Sequence, residues 1–234
     1  MPNLLTVEGI HTFIGQYHIL QGVSLEVPQG SITALLGRNG AGKTTTLKSI
    51  IGLLSPRTGR IVFDGQDIGG RPAYSVAALG VGYVPEHRAV FRDLSVEANL
   101  KIAERKRGDL ARRSALIFEL FPDLQRLYRL SGGQLSGGQQ QMLAIARALV
   151  PENRLLLIDE PSEGLAPIVI EHIVTALRRL SDHLTVLLVE QNFSMAAQLA
   201  DQYYILDDGQ TADAGRMTEL VANRARITKY LGAA

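Results

Sequence analysis

The chain has 234 residues, 46% of them hydrophobic and 20% charged, with a formal net charge of +1. That length buries one sizeable core plus a subdomain, and the near-zero charge supplies no basic field of the kind that dominates nucleic-acid binding, so no nucleic-acid partner is expected. The absence of cysteine excludes a disulfide framework and a thiolate metal site. The opening residues Met1-Pro2-Asn3-Leu4-Leu5 have neither a charged region nor a long apolar region, and no apolar run reaches about eighteen residues, so neither a secretory leader nor a membrane span is expected.

In chain order, apolar segments at 4–10, 23–27 and 31–36 predict strands, and 59–63 predicts another, ending at an Asp64-Gly65 turn. Between them lies the run Gly37-Arg38-Asn39-Gly40-Ala41-Gly42-Lys43-Thr44, which fits G-x-x-x-x-G-K-[ST], followed by a helix-compatible stretch from Lys43 to Leu54. Residues from about 89 to 149 turn helical in character, with apolar positions at Phe91, Leu94 and Val96, then over 111–120 and 124–127. Lys101, Arg105, Lys106, Arg107, Arg112 and Arg113 are expected to form a solvated helical face there. Beyond this, 154–159 predicts a strand, 167–180 a helix, 185–190 a strand, and 203–206 a closing strand before an Asp208-Gly209 turn.

The chemistry of the glycine-rich loop explains its residues. Glycines at 37, 40 and 42 let the backbone turn its N–H groups inward, so the loop and the following helix N-terminus make a concave anion site. Lys43 supplies a mobile positive charge to β- and γ-phosphates, and the Thr44 hydroxyl takes one position on the Mg²⁺ that accompanies ATP. Thr45 adds a hydroxyl on the α-phosphate side. The second half of the site is the segment Leu155-Leu156-Leu157-Ile158-Asp159-Glu160, whose apolar run reads as a parallel strand buried on both faces. Ligands of open α/β sheets bind where such strands end. Asp159 is therefore expected to hold Mg²⁺, directly or through a bound water, and Glu160 to accept a proton from the attacking water.

A second glycine-rich element, Leu135-Ser136-Gly137-Gly138-Gln139, precedes Gln140-Gln141-Met142-Leu143-Ala144-Ile145-Ala146-Arg147-Ala148-Leu149. With the phosphate loop and the Asp159-Glu160 strand, it resembles the nucleotide-binding domain of ATP-binding cassette (ABC) transporters over nearly the whole chain. Tyr83-Val84-Pro85-Glu86, Glu160-Pro161-Ser162-Glu163-Gly164-Leu165-Ala166-Pro167, Leu188-Val189-Glu190-Gln191-Asn192 and Tyr230-Leu231-Gly232 are more narrowly similar to an ATPase of bacterial branched-chain amino acid importers, with the urea and amide importer ATPases close. The resemblance implies an α/β P-loop NTPase fold over 1–234, with a mixed core sheet, an N-terminal antiparallel β part and a helical subdomain inserted at about 89–149.

In that family two cassettes stack head to tail, so Ser136, Gly137, Gly138 and Gln139 are expected to bind the nucleotide held by the partner's phosphate loop. The pentapeptide occurs twice, at 130–134 and 135–139. A helix led by Ser131 would place Gly137 and Gly138 in its interior at about 1 kcal/mol each relative to alanine, which assigns the working role to the second copy.

Three positions depart from the family pattern. Glu86 stands where a glutamine contacts Mg²⁺ and the attacking water, and a carboxylate still ligates Mg²⁺. Gln191 replaces the histidine that contacts the γ-phosphate; an amide donates a hydrogen bond but carries no proton, which concentrates the base role on Glu160. The loop after Glu160 has Gly164-Leu165-Ala166 and no aspartate for polar coupling across the dimer. Ile14 precedes Gly15 where many members carry an adenine-stacking tyrosine, leaving Phe13 and Tyr17 as the aromatic candidates.

The resemblance implies an ATP-hydrolysing subunit of an importer, for branched-chain amino acids or related small polar solutes. It would form a head-to-tail dimer with itself or a homologous ATPase, on the cytoplasmic face of the membrane, working with integral permease subunits and indirectly with a solute-binding protein. The alternative is a soluble ABC ATPase of cofactor assembly or DNA repair. His87 and Arg88 fall in the stretch that members use to grip their membrane partners. The five histidines, His11, His18, His87, His172 and His183, show no metal-ligand spacing, so no zinc site is expected.

Overall fold

The structure is a computed structural model describing residues 2–181 and 184–232, so His183 lies outside the described residues. Among the described residues ten strands form two sheets. The first has the order β2-β1-β4-β5, from Tyr17–Pro28 (β2), Asn3–Ile14 (β1), Thr58–Phe63 (β4) and Gln66–Asp67 (β5), all antiparallel. The second has the order β10-β9-β3-β8-β7-β6, from Gln210–Arg216, Gln202–Asp207, Ile32–Leu36, Thr185–Glu190, Leu155–Asp159 and Val81–Val84. All its pairings are parallel except β10 with β9. The helices are α1 (Lys43–Ile51), α2 (Ala73–Ala78), α3 (Val96–Ile102), α4 (Asp109–Leu120), α5 (Pro122–Arg126), α6 (Gly137–Leu149), α7 (Pro167–Ser181), α8 (Phe193–Leu199), α9 (Met217–Val221) and α10 (Arg224–Leu231).

Every residue of β3, β7 and β8 is buried, as apolar runs of a parallel sheet covered on both faces require. Period-two alternation then divides each strand between two cores. Leu156 and Ile158 of β7, with Val186 and Leu188 of β8, pack against α6 and α7, while Leu155, Leu157, Leu187 and Val189 pack toward α1 and the antiparallel sheet. The apolar residues of α3, α4 and α5 join the first of these cores, which fixes the helical segment to the sheet.

Register places the functional loops together. Leu36 pairs with Glu190 and Asp159 with Val189, so the three central strands end level, and the loops after residues 36, 159 and 190 emerge at one edge. That is the edge where α/β sheets bind ligands.

Two expectations are corrected. Helix begins at Val96; residues 88–95 form irregular coil and turns, held by the buried Asn99, whose amide donates to the carbonyls of Phe91, Leu94 and Ser95 and accepts from the Phe91 N–H. The basic cluster is largely exposed but is not one helical face: Lys101 lies in α3, Arg105, Lys106 and Arg107 in the loop after it, and Arg112 and Arg113 in α4. Arg105 donates to the Val81 carbonyl at 3.1 Å, and Asp109 accepts the Arg105 and Lys106 amides while pairing with Arg112. These bonds hold the Asp109 carboxyl below the usual carboxylate range, the Lys106 amide contributing most.

Candidate nucleotide site

Asn39, Gly40, Gly42, Lys43, Thr44, Thr45, Glu86 and Glu160 line one cavity of about 370 Å³, together with Ile14, Ile19 and Glu163. The loop after β3 takes a path that only glycine permits at two points: Gly37 has φ 150° with the Leu206 carbonyl 2.4 Å from where a Cβ would stand, and Gly42 has φ 102° with Leu20 at 2.7 Å. Arg38 is exposed, and its carbonyl accepts from the Ala41 amide at 3.2 Å, closing the turn.

Lys43, at the first position of α1, is buried. Its ammonium donates to the carbonyls of Gly37 at 2.9 Å and Arg38 at 3.2 Å, and pairs with Glu160 at 3.0 Å. Three acceptors thus aim the ammonium across the loop toward the strand end. Glu160 itself adopts φ 43°, a left-handed conformation that is strained by about 1 kcal/mol or more in a residue bearing a Cβ. Its amide is anchored to the Val189 carbonyl at 2.9 Å.

The Thr44 hydroxyl donates to Asp159 Oδ1 at 3.1 Å, and the Tyr83 hydroxyl donates to Oδ2 at 3.3 Å. Burial pushes the Asp159 carboxyl up to about 6, opposed by the Thr44 hydrogen bond and reinforced by Glu86 and Glu160 nearby. Burial, then the Asp159 charge, raises the Tyr83 phenol, so it stays protonated and donating. The residue set fits Mg²⁺: a hydroxyl and a carboxylate lie in mutual contact beneath the cavity, Glu86 lies on its wall, and oxygen donors few enough to need phosphate oxygens beside them match that ion's habit. No cluster of three or more His, Asp or Glu at metal-holding geometry occurs among the described residues.

The aromatic candidates do not line this cavity. Phe13 is stacked on the His18 ring at 4.2 Å, and the Arg57 guanidinium sits 3.8 Å from its centroid, with these neighbours coming from opposite flanking segments of the sheet. Tyr17 is 67% exposed at the β1–β2 hairpin, whereas Ile14, 46% exposed, stands on the cavity wall with Ile19. The signature lies elsewhere as well. Ser136 caps α6, its Oγ accepting the Gln139 amide at 3.3 Å while Gln139 Oε1 accepts the Ser136 amide at 3.0 Å. Ser136 and Gly137 are exposed, and none of the four signature residues 136–139 lines the cavity at their own phosphate loop. Gln191 follows β8, exposed, with its amide donated to Glu190.

Sequence reasoning missed two polar residues here. Tyr83 was read only as part of a motif, and its contact with Asp159 follows from the β6–β7 pairing of Tyr83 with Leu157. Glu190 was read as the end of a strand; the signal available was a carboxylate closing an otherwise apolar, fully buried run.

The family model described as ABC transporter matches residues 20–163. The chain is 39% identical over 232 residues to the high-affinity branched-chain amino acid transport ATP-binding protein BraG of Pseudomonas aeruginosa, a match covering 98% of this chain and 100% of that protein. It is 39% identical over 210 residues to the probable branched-chain amino acid transport ATP-binding protein LivF of Archaeoglobus fulgidus, covering 88% and 89%. Among solved structures, the ADP conformation of MJ1267, an ATP-binding cassette of an ABC transporter, matches with a TM-score of 0.87 at 25% identity over 100% of both chains.

Proposed function

The chain belongs to the ABC transporter family as an ATP-binding, ATP-hydrolysing cassette, and on that premise we propose that it drives an importer for branched-chain amino acids or related small polar solutes. The observation that carries this reading is the level edge where Lys43, Thr44, Asp159 and Glu160 converge while the signature serine lies exposed outside that cavity. The names of the two relatives support the solute class.

In this reading the loop amides and Lys43 take the ATP phosphates, and the incoming negative charge competes with Glu160 for the ammonium. The Glu160 carboxylate is thereby released to accept a proton from the attacking water. Thr44, Asp159 and Glu86 would hold Mg²⁺, which when bound neutralises phosphate charge as the bond to the leaving group breaks. Gln191 donates a hydrogen bond to the γ-phosphate. Ile14 and Ile19 offer adenine an aliphatic shelf, with Phe13 and Tyr17 outside it.

A site whose signature faces away from its own phosphate loop is completed by a second cassette, this chain or a homologue, docking head to tail. Ser136 Oγ, the first-turn amides of Gly137 and Gly138, and the positive end of α6 then meet the partner's γ-phosphate. No helix among the described residues is long and apolar enough to cross a membrane. In this reading the work is done on permease subunits from the cytoplasmic face, with a solute-binding protein acting through them, and the names of the relatives as transport ATP-binding proteins support it. A groove of about 230 Å³ between the segment after Glu86 and α6, with Tyr83, Arg88 and Arg147 on its walls, is the place for a permease segment.

The test is Glu160→Gln. It is expected to bind MgATP, to lose on the order of 10²–10⁴ in turnover, and to accumulate as an ATP-bound dimer on size-exclusion chromatography. Turnover within about threefold of wild type would remove Glu160 from the base role.

A further inference from the structure

Glu190 closes β8 with 0% of its surface exposed, yet no lysine, arginine or histidine pairs with it among the described residues. A buried carboxylate without a cation is costly to keep and needs hydrogen bonds in its place. Four are present. Oε1 accepts the Ser162 amide at 3.0 Å; Oε2 accepts the Ser162 hydroxyl at 2.9 Å, the Asn192 amide at 3.0 Å and the Gln191 amide at 3.1 Å. Burial raises this carboxyl above its usual range, and the bonds from Asn192 and Ser162 oppose the rise.

These donors come from two separate loops. Ser162 lies two residues after Glu160, in the loop leaving β7, and Gln191 and Asn192 begin the loop leaving β8. One side chain therefore ties the loop of the proton acceptor to the loop of the γ-phosphate donor. An apolar residue would pack in the same place without desolvating a charge, but would leave four donors without this acceptor.

Resting on the hydrolysis reading above, we infer that Glu190 is a positioning residue that locks the Ser162 loop and the Gln191 loop into one unit, so that Glu160 and Gln191 address the same phosphate together. Leucine accepts no hydrogen bond from either loop, so Glu190→Leu breaks the clamp, whereas Glu190→Gln can keep its oxygen on the three donors that meet Oε2 and loses only the Ser162 amide.

The experiment pairs amide hydrogen exchange with kinetics on the full chain. Glu190→Leu is expected to speed exchange at Ser162, Gln191 and Asn192 together by about tenfold or more, while the interior amides of β8 stay unchanged, and Glu190→Gln is expected to leave Gln191 and Asn192 within about threefold of wild type. Glu190→Leu is also expected to lower kcat about 10- to 100-fold with KM for ATP within about twofold. In a Gln191→Leu background the same change should lower kcat by no more than about twofold, because the two residues act as a unit. In Glu190→Leu, faster exchange in only one of the two loops, unchanged exchange, or a loss of turnover that multiplies fully onto Gln191→Leu would each overturn the clamp. A wild-type chain without ATPase activity whose two loops still loosen together on Glu190→Leu would instead fault the hydrolysis reading and support the clamp.

Discussion

At the scale of single residues, the site works by making buried groups answer to one another. Asp159 has no exposed surface and holds its orientation through two hydroxyl donors, Thr44 on one oxygen and Tyr83 on the other. On the proposed reading Thr44 would turn toward Mg²⁺, which would leave Tyr83 as the fixed donor. Partners of this kind around a ligating carboxylate affect metal affinity by about 10- to 100-fold. Tyr83→Phe is accordingly expected to raise the Mg²⁺ concentration for half-maximal ATPase activity by about tenfold, leaving nucleotide binding without metal unchanged. A Mg²⁺ titration with the same midpoint as wild type would show that the hydroxyl does not orient Asp159. The phosphate loop and the Asp159-Glu160 pair were legible in the sequence because their residue types and spacings are themselves the chemistry. Tyr83 and Glu190 were not, since their roles depend on which strand pairs with which. Phe13 stands off the cavity lining for a physical reason: its ring packs against His18 and Arg57 on its own sheet.

At the scale of elements, the tandem signature is resolved by where backbone amides are used. In the first copy Gly132 and Gly133 donate to the carbonyls of Leu94 and Arg92 at 2.8 and 2.9 Å, and the copy ends in a short 3₁₀ turn over Gly132–Gln134. Its amides are spent holding the segment ahead of α3. In the second copy Gly137 and Gly138 occupy the first turn of α6, where a helix has no internal acceptor for its N–H groups. Ser136→Arg is therefore expected to abolish ATP-driven dimerisation and to lower ATPase activity by at least about 100-fold while each subunit still binds nucleotide. Ser131→Arg should retain activity within about threefold, since the Ser131 hydroxyl bonds only within its own turn, to Gln134. Size-exclusion chromatography with ATP and steady-state assays on both variants check this, and the reverse pattern would assign the working role to the first copy. The helix start at Ser136 could be read in advance from glycine placement, and the buried strands from their apolar runs. The full reach of β1 to Ile14, and β10 with its half-exposed Gln210–Arg216, were less legible, because His11, Thr12 and the polar residues of β10 take their conformation from a neighbouring strand and not from any apolar pattern of their own.

At the scale of the whole molecule, one edge of the parallel sheet gathers the loops that carry Lys43, Glu160 and Gln191, while the start of α6 is exposed outside that cavity. On the proposed reading a second cassette would complete both sites at once, and the groove beside Tyr83 would set the Asp159 carboxylate one side chain away from a permease contact. Fold and family were legible from the motifs, because a parallel sheet with a phosphate loop after one strand and a carboxylate pair after another leaves few topologies. The transported solute was not, since none of the residues in this site touches it. The claim that the chain powers solute import is tested most directly by uptake of radiolabelled leucine, and in parallel of urea and a short amide, by cells in which the coding sequence is deleted and then restored. Saturable uptake of one of these solutes is expected to be lost on deletion, to return with the wild-type chain, and to remain absent with Glu160→Gln. Uptake of all three unchanged by the deletion would contradict the account.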